Sequence, residues 1–536
     1  MSVGAPPFTG ETAKAALRSR AKVGGWALAA VAGLACAAVL AGTTSGPWAF
    51  SDSASYLVSA RSLVGGEGLG YPAPSGEFIP LSLHPPLFPF LLAALDLAGI
   101  DDIDGARFLH AAFFGLLVLL VGITVRRTTN SAGLGLAAAI LTASSRRLVE
   151  LHAGLMAEPV FLLASAISLL CLVRYRRSGS SVDLALAAAS ASMAPLAKYA
   201  GIAVVAGEAL WLLFAVPGAR AQRLRRAAAF LAVALLPVVL WLAYLQISHF
   251  GSHVVATAAS GDSLWSRMAP FRGSLIEQTW DLLPVGPASG PISNRQKVGL
   301  LGGVSGVYLA FLFVGRRAFS GDRQKRAVTD EALALQSLLL LVALASAAML
   351  LGSFLFAYPQ PDLIDRTFAP YLLSLSLAAL LALWVIMATA FGPGKGGSIA
   401  AGVVLVVAAL QVGSTYGYLE ALARAGQGYA TERWRSSATA AAAAALPAEH
   451  ILVSNEPTAI LLYSDRNAYS LRDPFPPRFA CRSVDVVLFV SPQDDPAGGA
   501  VQEAPQPGQP WDSFESYADG TIYHLKPPSG CPSASP

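Results

Sequence analysis

Apolar runs near the length of a bilayer crossing recur through this sequence as far as residue 418, and they dictate most of what the chain can become. In hydrocarbon every backbone N–H and C=O must be satisfied within its own segment, so each run is expected to fold as a helix. About 20 residues are needed to cross. Eleven candidates read at 23–42, 107–125, 131–145, 157–173, 183–196, 199–217, 227–249, 298–315, 332–357, 368–391 and 397–418. The third and fifth are short, and the fifth and sixth nearly meet at Pro195, where a different local fold is open. With 54% hydrophobic and 13% charged residues in 536, the chain is too apolar for a soluble protein of its length. The first run is too long, and lacks the clear cleavage site, of a removable signal peptide. The expected fold class is a polytopic α-helical membrane protein of about eleven crossings, followed by a small soluble α/β domain.

The net charge of +4 and a pI near 8.8 do not point to nucleic acid, because the cations gather in short links between apolar runs. With the N-terminus cytoplasmic, inner segments hold Lys14 to Lys22, Arg126 and Arg127, Arg174 to Arg177, Arg220 to Arg226, Arg316 to Arg326, and Lys395. Every basic cluster except Arg146 and Arg147 falls inside, and the longer outer loops hold fewer cations. This map divides the chain into a cytoplasmic segment 1–22, a membrane domain 23–419 that includes a first outer loop 43–106, and an extracytoplasmic domain 420–536. Richness in Ala, Gly and Arg suggests a bacterial source of high GC content, hence a cytoplasmic membrane.

Two outer loops are long. In the first, SASYLVSARSLV reads as an amphipathic helix lying along the membrane surface, followed by the Gly-rich GGEGLGYPAPSGE and the apolar PPLFPFLLAALDLAGI. The second, 250–297, is polar and holds Trp265 and Trp280. After Glu420 an Ala-rich helix near 431–446 precedes the strand-like runs ILVS, VDVVLFV and TIYHLK. Cys36 and Cys171 fall in helices as small apolar residues, whereas Cys481 and Cys531 fall in the outer domain, where a disulfide is permitted but not required.

Asp52, His84, Glu158, Lys198, Asp365 and Arg366 stand at outer helix ends, from five separate places in sequence. The topology opens all of them to one side, where a membrane active site gathers its polar groups. Each also has an ordinary use. Ser51, Asp52 or Ser53 would cap a helix beginning near residue 54, Lys198 and Arg366 would snorkel to headgroups, and Glu158 beside Pro159 suits a helix N-terminus. Tyr56, Tyr71, Tyr199 and Tyr358 suit sugar stacking or an interfacial aromatic belt. Glu208 differs in lying mid-helix, as either a functional acid or a hydrogen-bond partner for a neighbouring helix.

Five segments in order, SDSASYLVSARSLVGGEGL, HPPLFPFLLA, LMAEPVFLL, LAKYAGIAVV and DRTFAPYLL, resemble the GT-C class of integral-membrane glycosyltransferases, in the branch of protein O-mannosyltransferases and the lipid A aminoarabinose transferase. The resemblance spans roughly residues 25 to 420. It implies an inverting enzyme that moves a sugar from a polyprenyl-phosphate donor to an acceptor hydroxyl on a glycan, protein or lipid, among membrane lipids at the outer face. In that family Asp52 occupies the place of the catalytic base. Arg366, Lys198 and His84 are expected at the donor phosphate, and Glu158, Tyr56, Tyr199 and Asp365 at substrate. A second carboxylate is unnecessary because phosphate leaves as a stable anion, unlike the alcohol of glycoside hydrolysis. Two positions depart from the family pattern: Lys198 stands where Arg more often precedes Tyr-x-Gly, and His84 where a Lys or an aromatic precedes the paired prolines. No cofactor is expected, since Asp52 lacks the adjacent acid of some relatives and no metal-ligand spacing occurs, with a divalent cation left open. The alternative reading is a secondary transporter, favoured by the number of helices and Glu208, and opposed by the lack of related halves and the placement of charge at helix ends.

Overall fold

The computed structural model describes residues 10–72, 78–247, 264–280, 293, 295–300, 323–356, 366–471, 482–490 and 513–525. Its first ten helices are α1 (Gly10–Gly42), α2 (Ser51–Val64), α3 (Leu87–Leu97), α4 (Asp102–Thr129), α5 (Ala132–Ala143), α6 (Arg146–Ala153), α7 (Glu158–Ser178), α8 (Ser181–Ala197), α9 (Gly201–Phe214) and α10 (Arg220–Ile247). Further long helices follow at Arg323–Phe356, Ala369–Phe391 and Pro393–Ala425. Among the described residues seven helices are long and apolar enough to cross a membrane, and α5, α8 and α9 are shorter apolar helices. Together these coincide with ten of the expected runs. Most of the remaining run, 298–315, lies outside the described residues. This is a multi-pass membrane protein.

Local chemistry explains the boundaries. Asp101 caps α4, its carboxylate accepting from the Ile103 and Asp104 N–H groups at 3.1 and 2.8 Å. Asn130 ends that helix in the left-handed region at φ 52°, and Ser131 caps α5. Near Pro195 the chain stops after Ala197, turns at 198–200, and restarts as α9. The Lys198 N–H donates to Ala194 O at 2.9 Å and the Gly201 N–H to Lys198 O at 2.7 Å. A Cβ on Gly201 would lie 2.3 Å from the Ala194 carbonyl carbon, so this tight reversal requires glycine. The bundle core closes around fully buried Phe114, Phe161, Trp211 and Trp384.

The first loop departs from expectation. The apolar face of α2 does not lie on the membrane surface; Tyr56, Leu57 and Ala60 pack against Phe88 and Leu92 of α3, with Ala106, Leu155 and Ala157 completing the cluster. The chain supplies its own apolar partner, and the Gly-rich stretch folds back as a short antiparallel pair, β1 (Gly70–Pro72) with β2 (Phe78–Pro80).

After the last long helix, β3 (Ile451–Ser454), β4 (Ala468–Ser470), β5 (Val484–Phe489), β6 (Ser513–Tyr517) and β7 (Gly520–Leu525) form one sheet of order β4-β3-β5-β7-β6. β3 runs parallel to β4 and β5, and β7 antiparallel to β5 and β6. The Ala-rich segment is two short helices, Glu432–Arg435 and Ala438–Ala444, rather than one. Ser437 breaks it by acting as an N-cap, its Oγ accepting from the Ala440 N–H at 3.0 Å while donating to Asp519. Cys36 is half-buried and Cys171 buried, both as free thiols; Cys481 and Cys531 lie outside the described residues.

Candidate active site at one end of the bundle

Five of the expected residues reach one place from five elements. Asp52 is the second residue of α2, whose N-cap position is Phe50 and carries no side-chain cap bond. The expectation that Ser51, Asp52 or Ser53 stands at the N-cap is therefore corrected: Ser53 is the third helical residue, where its Oγ accepts from the Phe50 N–H at 3.1 Å and donates to Leu155 O at 2.7 Å, and the Asp52 carboxylate is left to face other side chains. Glu158 is the first residue of α7, fixed there by Pro159. Lys198 closes α8, where a cation also suits the negative end of the helix dipole. Arg366 lies in the turn just before Ala369–Phe391, and His84 in the loop before Pro85 and Pro86.

The pairs are specific. Arg366 Nη1 donates to Asp52 Oδ2 at 2.9 Å, and its guanidinium lies 4.2 Å from the centre of the Phe50 ring, a cation–π contact that holds the fork from below. On the other carboxylate oxygen, His84 Nε2 stands 3.9 Å from Asp52 Oδ1. His84 Nδ1 meets the Tyr56 hydroxyl at 3.3 Å, with the two rings 4.7 Å apart. Alongside, Lys198 pairs with Glu158, whose side chain is only 3% exposed. Burial lowers the His84 pKa and outweighs the opposing pull of Asp52, so the imidazole is neutral at pH 7. Burial first, and then the charges of Glu158 and Asp52, raise the Tyr56 phenol well above its ordinary value. A phenol that keeps its proton can either donate to His84 Nδ1 or accept from it, and only in the first case does the imidazole proton sit on Nε2, toward Asp52.

Tyr199 stands one step aside. Its hydroxyl donates to Ser82 O at 3.3 Å and accepts from Trp241 Nε1 at 3.1 Å. Asp365 and Tyr358 lie outside the described residues. Phe50 and Trp241 escaped the sequence reading: no spacing rule pairs Phe50 with a cation 316 positions on, although an aromatic next to an acid at a helix start is a usable signal. Among the described residues no group of three or more His, Cys, Asp or Glu side chains is arranged to hold a metal ion.

A narrow apolar slot begins one helical turn below the cluster. Leu162 and Ser165 of α7 and Pro370, Leu373 and Ser374 of the helix after Arg366 line it, with Leu335 and Leu339. The slot continues into the bundle, where Leu120, Val121 and Thr124 of α4 also line it.

Residues 83–244 match the family model of dolichyl-phosphate-mannose-protein mannosyltransferases. The crystal structure of ArnT from Cupriavidus metallidurans bound to undecaprenyl phosphate matches with a TM-score of 0.53 at 14% identity, covering 86% of this chain and 92% of that one. The chain has the GT-C fold. The apo structure of the same ArnT agrees, with a TM-score of 0.54 at 12% identity and the same coverage of both chains. No curated protein sequence matches the chain. Within the GT-C fold, the polar cluster and the slot below it lie in the part of the chain that opens with α2 and closes with the helix after Arg366.

Proposed function

We propose that this chain is an inverting glycosyltransferase that moves a sugar from a polyprenyl-phosphate donor to an acceptor hydroxyl at the outer face of the cytoplasmic membrane. One observation carries the reading: Asp52 and Arg366, 314 residues apart, meet beside His84 and the Glu158–Lys198 pair, joining a base to two cations above an apolar slot. The match to a structure titled as bound to undecaprenyl phosphate supports a lipid phosphate as the donor's carrier. The positive-inside bias supports the outer face.

In this reading Asp52 takes the proton of the acceptor hydroxyl as that oxygen attacks the anomeric carbon from the face opposite the phosphate. The bond from the anomeric carbon to the phosphate oxygen breaks in the same displacement, which inverts the centre. Polyprenyl phosphate leaves with the bonding pair, and Arg366 and Lys198 neutralise the charge that grows on it. Lys198 does so as a point charge, because an ammonium cannot grip phosphate bidentately. The arriving phosphate competes with Asp52 for Arg366, so donor binding frees the carboxylate for its work. Neutral His84 supplies hydrogen bonding without adding charge, and Glu158 holds Lys198 in place. Tyr56 and Tyr199 border the sugar, and Asp365, beside Arg366, joins the substrate contacts.

The test is mass spectrometry of the lipids that stay with the gently purified protein. A polyprenyl phosphate carrying one sugar is the expected result, and its mass assigns a hexose, a pentose or an amino sugar. Bulk phospholipid alone would overturn the reading in favour of a transporter, with Glu208 as the residue to explain.

A further inference from the structure

The segment that carries the proposed base is clamped on both sides by backbone. Trp48 bridges in parallel to Gly154, and Ala49 bridges in parallel to Gly428. On one side the Trp48 N–H donates to Ala153 O at 3.1 Å and the Leu155 N–H returns to Trp48 O at 2.8 Å. On the other, the Tyr429 N–H donates to Ala49 O at 3.2 Å. The next residue, Phe50, lies under the Arg366 guanidinium, and Asp52 follows two residues later. From Leu155 the chain runs three residues on to Glu158. One three-segment crossing therefore fixes the starts of both helices that bring carboxylates to the site.

The outermost of the three segments belongs to the link into the C-terminal domain. Gly428 sits at φ +56°, and a Cβ there would lie 2.5 Å from Ala49 O, so only glycine lets the two backbones come this close. The link is itself held from the domain side. Tyr463 donates to the Tyr429 carbonyl, the Tyr429 hydroxyl pairs with Glu456, and Trp434 packs on Phe489 of β5 at 5.1 Å between rings. Leu462 packs against the cluster of Tyr56, Leu57 and Ala60 on α2, and Asp465 pairs with Arg61 at the far end of that helix. The domain thus grips the Asp52 helix at its start, its middle and its end.

We infer that the C-terminal domain is a working part of the transfer site rather than a passenger, and that Gly428 is a positioning residue acting through Ala49 and Phe50 on Asp52 and Arg366. The inference rests on the transferase reading above, but its geometry can be tested without it. The experiment compares full-length wild type with Gly428→Ala by turnover of the co-purified lipid-linked sugar and by hydrogen exchange, which needs no substrate. Turnover is expected to fall roughly tenfold to hundredfold with donor KM changed less than about threefold, since misplacement of about an ångström costs that much in rate. Exchange should rise in residues 48–57 while α4 and α7 keep their protection. Unchanged turnover would overturn the inference. So would a fall in turnover accompanied by loss of protection throughout the bundle, which a merely structural role gives. Should Gly428→Ala fail to accumulate, Leu462→Ala, which leaves the backbone untouched, is read by the same two measurements and decides in the same way. If wild type transfers no sugar, the functional reading falls, and exchange at 48–57 alone decides whether the domain holds the segment.

Discussion

Glu208 and Asp52 are both carboxylates within the helix bundle, and their surroundings differ in kind. Glu208 lies mid-helix in α9, fully buried, where Ser168 Oγ of α7 donates to one oxygen at 2.9 Å and the other has no partner among the described residues. Asp52, at the bundle's end, is part exposed and shared between Arg366 and His84. Glu158 nearby is as buried as a core residue but has Lys198 against it. The contrast teaches that the acid at the bundle's end is surrounded by exchangeable polar partners, whereas the mid-membrane acid ties α7 to α9 by a single hydrogen bond.

The sharpest way to break that contrast is Asp52→Asn. Transfer should fall by roughly 10²- to 10⁴-fold, the range for loss of a general base, while the lipid seen by mass spectrometry stays bound. Turnover near wild type would remove Asp52 from the mechanism. Next, Arg366→Gln keeps a polar side chain without charge and should slow transfer on the order of 10²-fold, as for removal of one donor to a developing anion. Yield of folded protein should change far less, measured on the same preparations.

Stability sharpens the comparison within the end cluster. Lys198→Ala leaves Glu158 buried and uncompensated, and should cost about 3–5 kcal/mol, the range for a broken buried pair. Glu158→Ala should cost less, because Lys198 is 28% exposed and can turn toward solvent. Thermal unfolding in detergent ranks the two, and equal losses would mean that the pair is not governed by Glu158 burial.

Acid gives a smaller effect. Burial lowers the pKa of His84 and takes that of His152, on α6, down to about 4. Both groups are protonated more readily when unfolded, at about 6.5. The stability they contribute as neutral rings is therefore present above that value and lost as pH falls from about 6.5 toward about 4. The melting temperature should decline across this window, and His152→Gln should flatten the decline. Smallest of all, Glu208→Gln should leave transfer within about twofold and stability within ~1 kcal/mol, the usual scale of one neutral hydrogen bond. Abolished turnover in that variant would invert the comparison made above.

Much of this was legible in the residues. Apolar runs declare their helices because hydrocarbon leaves a chain no other way to satisfy its backbone, and ILVS and VDVVLFV declare strands β3 and β5. Convergence of Asp52, His84, Glu158, Lys198 and Arg366 at one end follows from which helix ends share a side. What was not legible is who pairs with whom: either Lys198 or Arg366 could have met Asp52, and only packing of α7 against α8 hands Lys198 to Glu158. Nor does the pattern of α2 tell whether its apolar face meets lipid or α3, since both are equally apolar. The broken Ala-rich helix turned on Asp519, which lies too far along the chain for local propensity to register.

The bridge between Ala49 and Gly428 also carries a lesson about manufacture. A chain inserted from its N-terminus makes Asp52 almost at once, but Arg366 arrives only 314 residues later, and the segment that clamps Ala49 comes later still, beyond the last long helix. Loop closure over such separations is slow. The site is consequently completed only after the last long helix has been made, and a half-made molecule holds an acid with nothing yet assembled to use it.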